Sequence, residues 1–238
     1  MNVGGIISDA VAYPFHNIKA LLLYIVLSVI AALIAGASII SIVVAFSTKG
    51  LGGIAFAGLG IAEVLIFVLV LFLIQGYALD IIKFGIERRD DGPEIDIIRQ
   101  IANAIKLVIV DVVYYIVPVI ITTILALFLR DWLITIIGII LFIVFALANF
   151  MAKCRLAKTD SLGDALAIGE AIGDISKVGI GKLLAVVILV AIILIIIAFI
   201  IALLASLNAT LGSIILGIAA VYFVFFYNRA IGLLYSDA

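Results

Sequence analysis

Charged residues desert long stretches of this chain. None falls between Lys19 and Lys49, between Asp111 and Arg130, between Asp131 and Lys153, or between Lys182 and Arg229. A helix needs about 20 apolar residues to cross a bilayer, so each of the first three gaps holds one span and the last holds two. The last gap breaks at "SLNATLGS", Ser206 to Ser213, which is polar and prone to turn. A further apolar run, Ile54 to Leu79, carries a single charge at Glu63. The predicted spans are Ala20–Phe46, Ile54–Leu79, Ile105–Leu129, Trp132–Ala152, Leu183–Ala205 and Leu211–Asn228. Backbone groups in hydrocarbon must be bonded within their own segment, which leaves helices or a closed barrel. Runs this continuous lack the alternation of barrel strands. The expected fold is all-α, one polytopic membrane domain over residues 1–238. Its six transmembrane helices are expected as three antiparallel hairpins, because the turns Ser47–Gly53, Arg130–Asp131 and Ser206–Thr210 are short.

Each hairpin enters the membrane through a similar phrase: "IKALLL" at Ile18, "IKLVIV" at Ile105 and "GKLLAV" at Gly181. Lys19, Lys106 and Lys182 hold the same place in them, with stems able to lie along a helix while the ammonium reaches the interface. A segment of mixed polarity precedes each entry. In "SLGDALAIGEAIGDISK", at 100° per residue, Leu162, Ala165, Leu166, Ile168, Ile172 and Ile175 share one face. Asp164, Glu170, Asp174 and Lys177 share the other. "EIDIIRQIANAIK" repeats the pattern, and "IISDAVAYPF" is a shorter version ending near Pro14. These segments predict short amphipathic helices at the interface, the clearest running from Leu162 to Lys177. Three same-sense units of interfacial helix plus hairpin, approximately 4–90, 94–160 and 161–238, form an expected internal repeat.

Composition adds what the pattern leaves open. Hydrophobic residues are 68% of the chain and charged ones 12%, with mean hydropathy +1.51, so no polar surface is large enough to cover a core in water. The net charge of −1 supplies no basic field for nucleic acid. One cysteine and one histidine, Cys154 and His16, exclude an internal disulfide and argue against a histidine or thiolate metal centre. The first apolar run is too long for a signal-peptide core and is expected to be retained. Lysines and arginines crowd the side that holds both termini and the inter-hairpin segments, against Lys49 and Arg130 alone on the other. The positive-inside rule then makes both termini cytoplasmic in the cell membrane. Cys154, between Lys153 and Arg155, reads as an interfacial cysteine, and "ERRDDGPEID" as a solvated loop.

Several of these phrases together resemble a known family. "YPF" at Tyr13, "GYALDIIKFGIE" from Gly76 with an acidic Pro93 segment after it, "YYIVP" from Tyr114, "SLGDAL" from Ser161 and "FYNRAIGLLY" from Phe226 resemble the archaeal and bacterial multi-pass proteins of domain of unknown function 4013. The resemblance covers nearly the whole chain and implies a prokaryotic membrane and this fold. It brings no activity and no site residues. A more distant similarity, to the membrane portion attached to some glycerophosphodiester phosphodiesterases, comes with nothing that matches their catalytic domain.

The candidate site residues are the polar ones inside the spans: Glu63, Gln75, Asp111, Tyr115, Thr122 and Asn149. An Asp at a helix centre costs about 2.5–3.5 kcal/mol on insertion scales, so Glu63 and Asp111 lead the set. Their depths differ, and they are not expected to pair. Glu63 is expected to point into the bundle and bond Ser38, Ser41, Thr122 or Thr123. Gln75, Tyr77, Asn149 and Tyr222 lie near the depth of Asp111. Asp111, Tyr115, Pro118 and Thr122, spaced 4, 3 and 4, make one helical stripe that Pro118 interrupts. The glycines of "GLGGIAFAGLG" read as a turn followed by close helix packing. No nucleophile elbow, P-loop, dinucleotide fingerprint or HExxH is present. The expected function is therefore a non-enzymatic scaffold or assembly protein without cofactor or metal. Its expected partners are membrane lipids and either further copies of itself or other membrane proteins. The alternative is a small transporter or channel with Glu63 and Asp111 along a polar path.

Overall fold

The computed structural model describes the backbone of residues 1–238 and every side chain except those at 36, 209, 210, 211 and 213. Its elements are all helical: α1 (Val3–His16), α2 (Ile18–Ser47), α3 (Leu51–Ile86), α4 (Ile97–Ala126), α5 (Asp131–Thr159), α6 (Leu162–Ala165), α7 (Ile168–Val178), α8 (Ile180–Leu207) and α9 (Ala209–Tyr235). Six are long and apolar enough to cross a membrane: α2, α3, α4, α5, α8 and the Ile214–Tyr235 part of α9.

Several helices outrun their predicted spans. With 36 residues, α3 reaches about 54 Å at the usual rise per residue, well beyond a hydrocarbon core of about 30 Å. It runs on from Leu79 to Ile86, α5 continues to Thr159 and α9 to Tyr235, while α4 starts at Ile97. Side chains compensate the extra turns. The Asp96 carboxylate caps α4, accepting from the Arg99 N–H at 3.0 Å. Most of "EIDIIRQIANAIK" is thus not a separate interfacial helix but the first turns of α4. The Leu162–Lys177 segment differs too. It is two helices, α6 and α7, with Ala167 at φ −72°, ψ 77° between them. Other helices take the carbonyls that a continuous helix would use: Arg155 Nε donates to the Asp164 oxygen and the Tyr114 hydroxyl to the Ala165 oxygen, both at 2.9 Å.

The core sits toward one end. Apart from Gly53 and Gly60, the buried residues of α3 begin at Val70, and those of α8 are Leu183, Val186 and Val190, near its start. There α3 packs on α2, α4, α5 and α9. Two approaches are close enough to require glycine. A Cβ at Gly76 would overlap the Gln100 carbonyl, and Gly232 packs on the Ile82 carbonyl and on Gly85. The N-terminal helix follows α9: the Met1 amine reaches Asp237, Asp9 meets Arg229, and the Val11 oxygen accepts from the Tyr222 hydroxyl. α1 also runs through Pro14 to His16 instead of stopping at the proline. The other end is loose. Phe46 is 90% exposed and Leu51 86%, so the α2–α3 turn presents apolar surface on most faces. The turn itself uses Gly50 at φ +72°, and Gly60 lets α3 approach Ile42 of α2, as the glycine spacing predicts.

Candidate polar site at the helix ends

Arginines organise the buried end. Arg229 on α9 is 1% exposed, the largest fully buried side chain. Its guanidinium donates to Asp9 at 2.7 and 3.3 Å, to Asp90 at 3.1 Å, to the Phe84 carbonyl at 3.3 Å and to the Arg89 carbonyl. Its carbon centre also lies 4.5 Å over the Tyr13 ring. One side chain therefore ties together α1, the end of α3, the 87–91 loop and α9. Only a planar fork with five donors can do this.

Arg155 on α5 plays the same part for α6 and α7. It donates to Asp174 at 3.0 Å, to Glu170 and to the Asp164 carbonyl. Asp174 is 1% exposed and also accepts from Lys177 and from the Tyr235 hydroxyl, each at 2.6 Å. Burial alone would raise the Asp174 carboxyl. The bonds from Lys177, Tyr235 and Arg155 outweigh it and hold the group below the usual carboxylate range. Nearby, Lys182 and the Met1 amine hold Asp237 well below that range, while burial pushes the Tyr13 phenol up.

The third cluster joins α3 to α4. Asp80 accepts from Arg99 at 3.2 Å and from Asn103 at 3.0 Å, and Arg99 also donates to the Glu94 carbonyl at 2.5 Å. Beneath it Gln100 is fully buried, accepting from the Tyr24 hydroxyl at 2.9 Å. Asp80, Lys83, Arg89, Asp91, Glu94 and Arg99 face a cleft of about 450 Å³. Its walls carry both signs of charge. The "ERRDDGPEID" loop is thus part of the structure, with Asp90 on Arg229 and Pro93 buried under the Tyr77 hydroxyl, 3.2 Å away.

The residues singled out in the sequence separate in space. Asp111 finds Asn149, one of the partners suggested by depth: Asn149 Nδ2 donates at 2.7 Å, and Lys153 Nζ completes the cluster at 2.7 Å. Gln75 and Tyr115 are exposed on their helices. Thr122 donates to the Pro118 carbonyl of its own helix at 2.7 Å, and α4 stays helical through Pro118. The expectation for Glu63 is not met. Its Oε2 is buried without a partner. Facing registers of α2 and α3, with Gly60 against Ser41 and Ile42 and the Tyr24 and Tyr77 rings 4.7 Å apart, place Glu63 at the level of Ser38. Ser38 nevertheless donates to the Ala35 carbonyl at 2.8 Å, and Thr123 to Val119 at 2.8 Å. A hydroxyl on a helix has a local carbonyl always within reach, and each of these uses it. Cys154 is buried, its thiol 3.8 Å from the Ile231 carbonyl, so it is not an interfacial cysteine.

Sequence reading missed Arg229, Arg155, Asp174, Asp9 and Asp80, because charges outside a span look solvated. The one signal was the resemblance, whose phrases contain Tyr13, Asp80 and Arg229. Every ion pair among the described residues lies at this end. No group of three or more His, Cys, Asp or Glu among them is placed to hold a metal.

Six long apolar helices tied at one end by buried charge define a multi-pass α-helical membrane protein. The sequence model of a family described as a protein of unknown function, DUF4013, matches residues 61–206, more than half of the chain, and the chain belongs to that family. No curated protein and no solved structure matches it.

The Asp174 cluster gives a pH dependence with a fixed sign. Because its folded pKa is lowered, the stability it contributes is full above the unfolded carboxylate value of about 3.9. It is lost as the pH falls through the folded value. Asp174→Asn is expected to cost about 2 kcal/mol at pH 7, the scale of hydrogen bonds to a charged group. Thermal unfolding in detergent at pH 7 and pH 3 should show a smaller acid-induced loss in the variant than in the wild type. An equal loss in both would remove Asp174 as a contributor.

Proposed function

We propose that this chain is a non-enzymatic scaffold of the cell membrane, its six spans arranged as three antiparallel hairpins with both termini in the cytoplasm. In this reading α1 and the α6–α7 pair lie near headgroup level on the cytoplasmic side. The observation that carries it is the division of the molecule into two ends. At one end the buried charges each have a partner of opposite sign: Arg229 has Asp9 and Asp90, Asp174 has Arg155, and Asp80 has Arg99. At the other, α2 and α3 leave apolar faces without a protein neighbour. A rigid base with a projecting apolar hairpin suits association with further copies or with other membrane proteins.

Transport is the second reading, favoured by the unpartnered buried oxygen of Glu63. Against it, Asp111 already holds Lys153 and Asn149, and neither carboxylate lines the polar cleft at the helix ends.

One set of single-cysteine variants tests the orientation and the association. Cysteines replacing Thr48 and Asn208 should label from outside intact cells, and one replacing Ser236 only after permeabilisation. Labelling at Ser236 in intact cells overturns the orientation. With a membrane-impermeant bis-maleimide, Thr48→Cys should give a covalent species larger than the 25.3 kDa chain. A chain that stays monomeric at every linker length overturns self-association through this hairpin.

A further inference from the structure

The cluster on α4 and α5 has unused bonding capacity. Lys153 Nζ and Asn149 Nδ2 both meet Asp111 Oδ1. That leaves Asp111 Oδ2 and two Lys153 protons uncommitted. The two side chains are 37% and 22% exposed. The partly exposed Asp111 and Lys153 can therefore take a further partner from outside the protein.

Beside the cluster, α5, α8 and α9 enclose an apolar cleft of about 210 Å³, lined among others by Phe150, Val190, Leu194, Phe223 and Tyr227. The cluster and the cleft share α5. Phe150 follows Asn149 in the chain, and its ring packs on Tyr227 with centroids 6.0 Å apart.

We propose that this cluster and cleft bind a phospholipid whose zwitterionic head ends in a primary ammonium. The ammonium has protons to donate to Asp111 Oδ2, while the phosphate accepts from Lys153. An acyl chain fills the apolar cleft. A quaternary ammonium has no proton to give, and an anionic head without an ammonium meets Asp111 unfavourably. Phosphatidylethanolamine therefore fits where phosphatidylcholine and phosphatidylglycerol do not. The free head lacks the chain that the cleft holds.

This inference rests on the spans being membrane-embedded, which alkaline carbonate extraction checks separately: release into the soluble fraction sinks that reading, not lipid choice. For lipid choice, the full chain purified in detergent is titrated with the three lipids and followed by native mass spectrometry. Phosphatidylethanolamine should bind about tenfold more tightly than phosphatidylcholine, and phosphoethanolamine without chains should not compete. Asp111→Asn, checked for helicity by circular dichroism, should bring the preference close to one, while Lys153→Met should weaken both zwitterionic lipids alike, because each carries the phosphate. Leu194→Trp, which fills the cleft, should weaken all three lipids. Equal binding of the two zwitterionic lipids by the wild type overturns the proposal, as does preference for phosphatidylglycerol, a preference that survives in Asp111→Asn, or unchanged binding in Lys153→Met.

Discussion

Arg229→Met should cost about 3 kcal/mol, near the lower bound for removing one partner of a buried ion pair. The lower bound applies because Asp9 and Asp90 remain partly in water, 28% and 81% exposed. Much of the loss comes from elsewhere. The Phe84 and Arg89 carbonyls lose their donor, and the Tyr13 ring loses its cation. Against a typical total of about 5–15 kcal/mol, that is a large share, and the 87–91 loop should detach first. Arg229→Lys keeps the charge without the fork and should restore less than half. Thermal unfolding of the detergent-solubilised protein, read by size exclusion of the surviving fraction, checks this. An unchanged midpoint for Arg229→Met would show that the guanidinium does not hold this end together.

The second large effect comes from the smallest change. Gly76→Ala puts a methyl group into the Gln100 carbonyl, so two helix backbones have to separate. Overpacking a core usually costs about 1–3 kcal/mol and occasionally more. Here the obstacle is backbone, which cannot rotate away, so about 3 kcal/mol or more is expected. Gly232→Ala, against the Ile82 carbonyl on the other side of α3, should behave alike. Gly58→Ala is the control. Nothing lies within 4 Å of its new Cβ, and an alanine inside a helix gains up to about 1 kcal/mol. The same unfolding measurement on all three separates crowding from a general intolerance of alanine in α3. If Gly58 and Gly76 respond equally, the close approach of α3 and α4 is not what matters.

The two carboxylates show how legibility divides. For Asp111, depth along the helices pointed to Asn149 among several candidates, and Asn149 is a partner. Lys153 was passed over because a lysine at a span end normally reaches for water. For Glu63 the same depth reasoning put Ser38 opposite, but not the bond. Local carbonyls won the hydroxyls, a competition that spacing alone does not decide. The Leu162–Lys177 face was read from its periodicity, yet Arg155 and Tyr114 break the helix by taking the carbonyls at 164 and 165. Those two side chains arrive from helices far away in sequence.

By itself the sequence determined membrane insertion, the number of spans and the asymmetry of charge. These depend on transfer of each segment into lipid, a sum over residues in order that needs no neighbour. Tertiary structure alone decided which charges are buried, which glycines are crossing points and which polar atoms stay unpaired. Each of those is a property of two or more segments meeting at a distance set by packing, as when Asp9, Asp90 and Arg229 converge from widely separated parts of the chain.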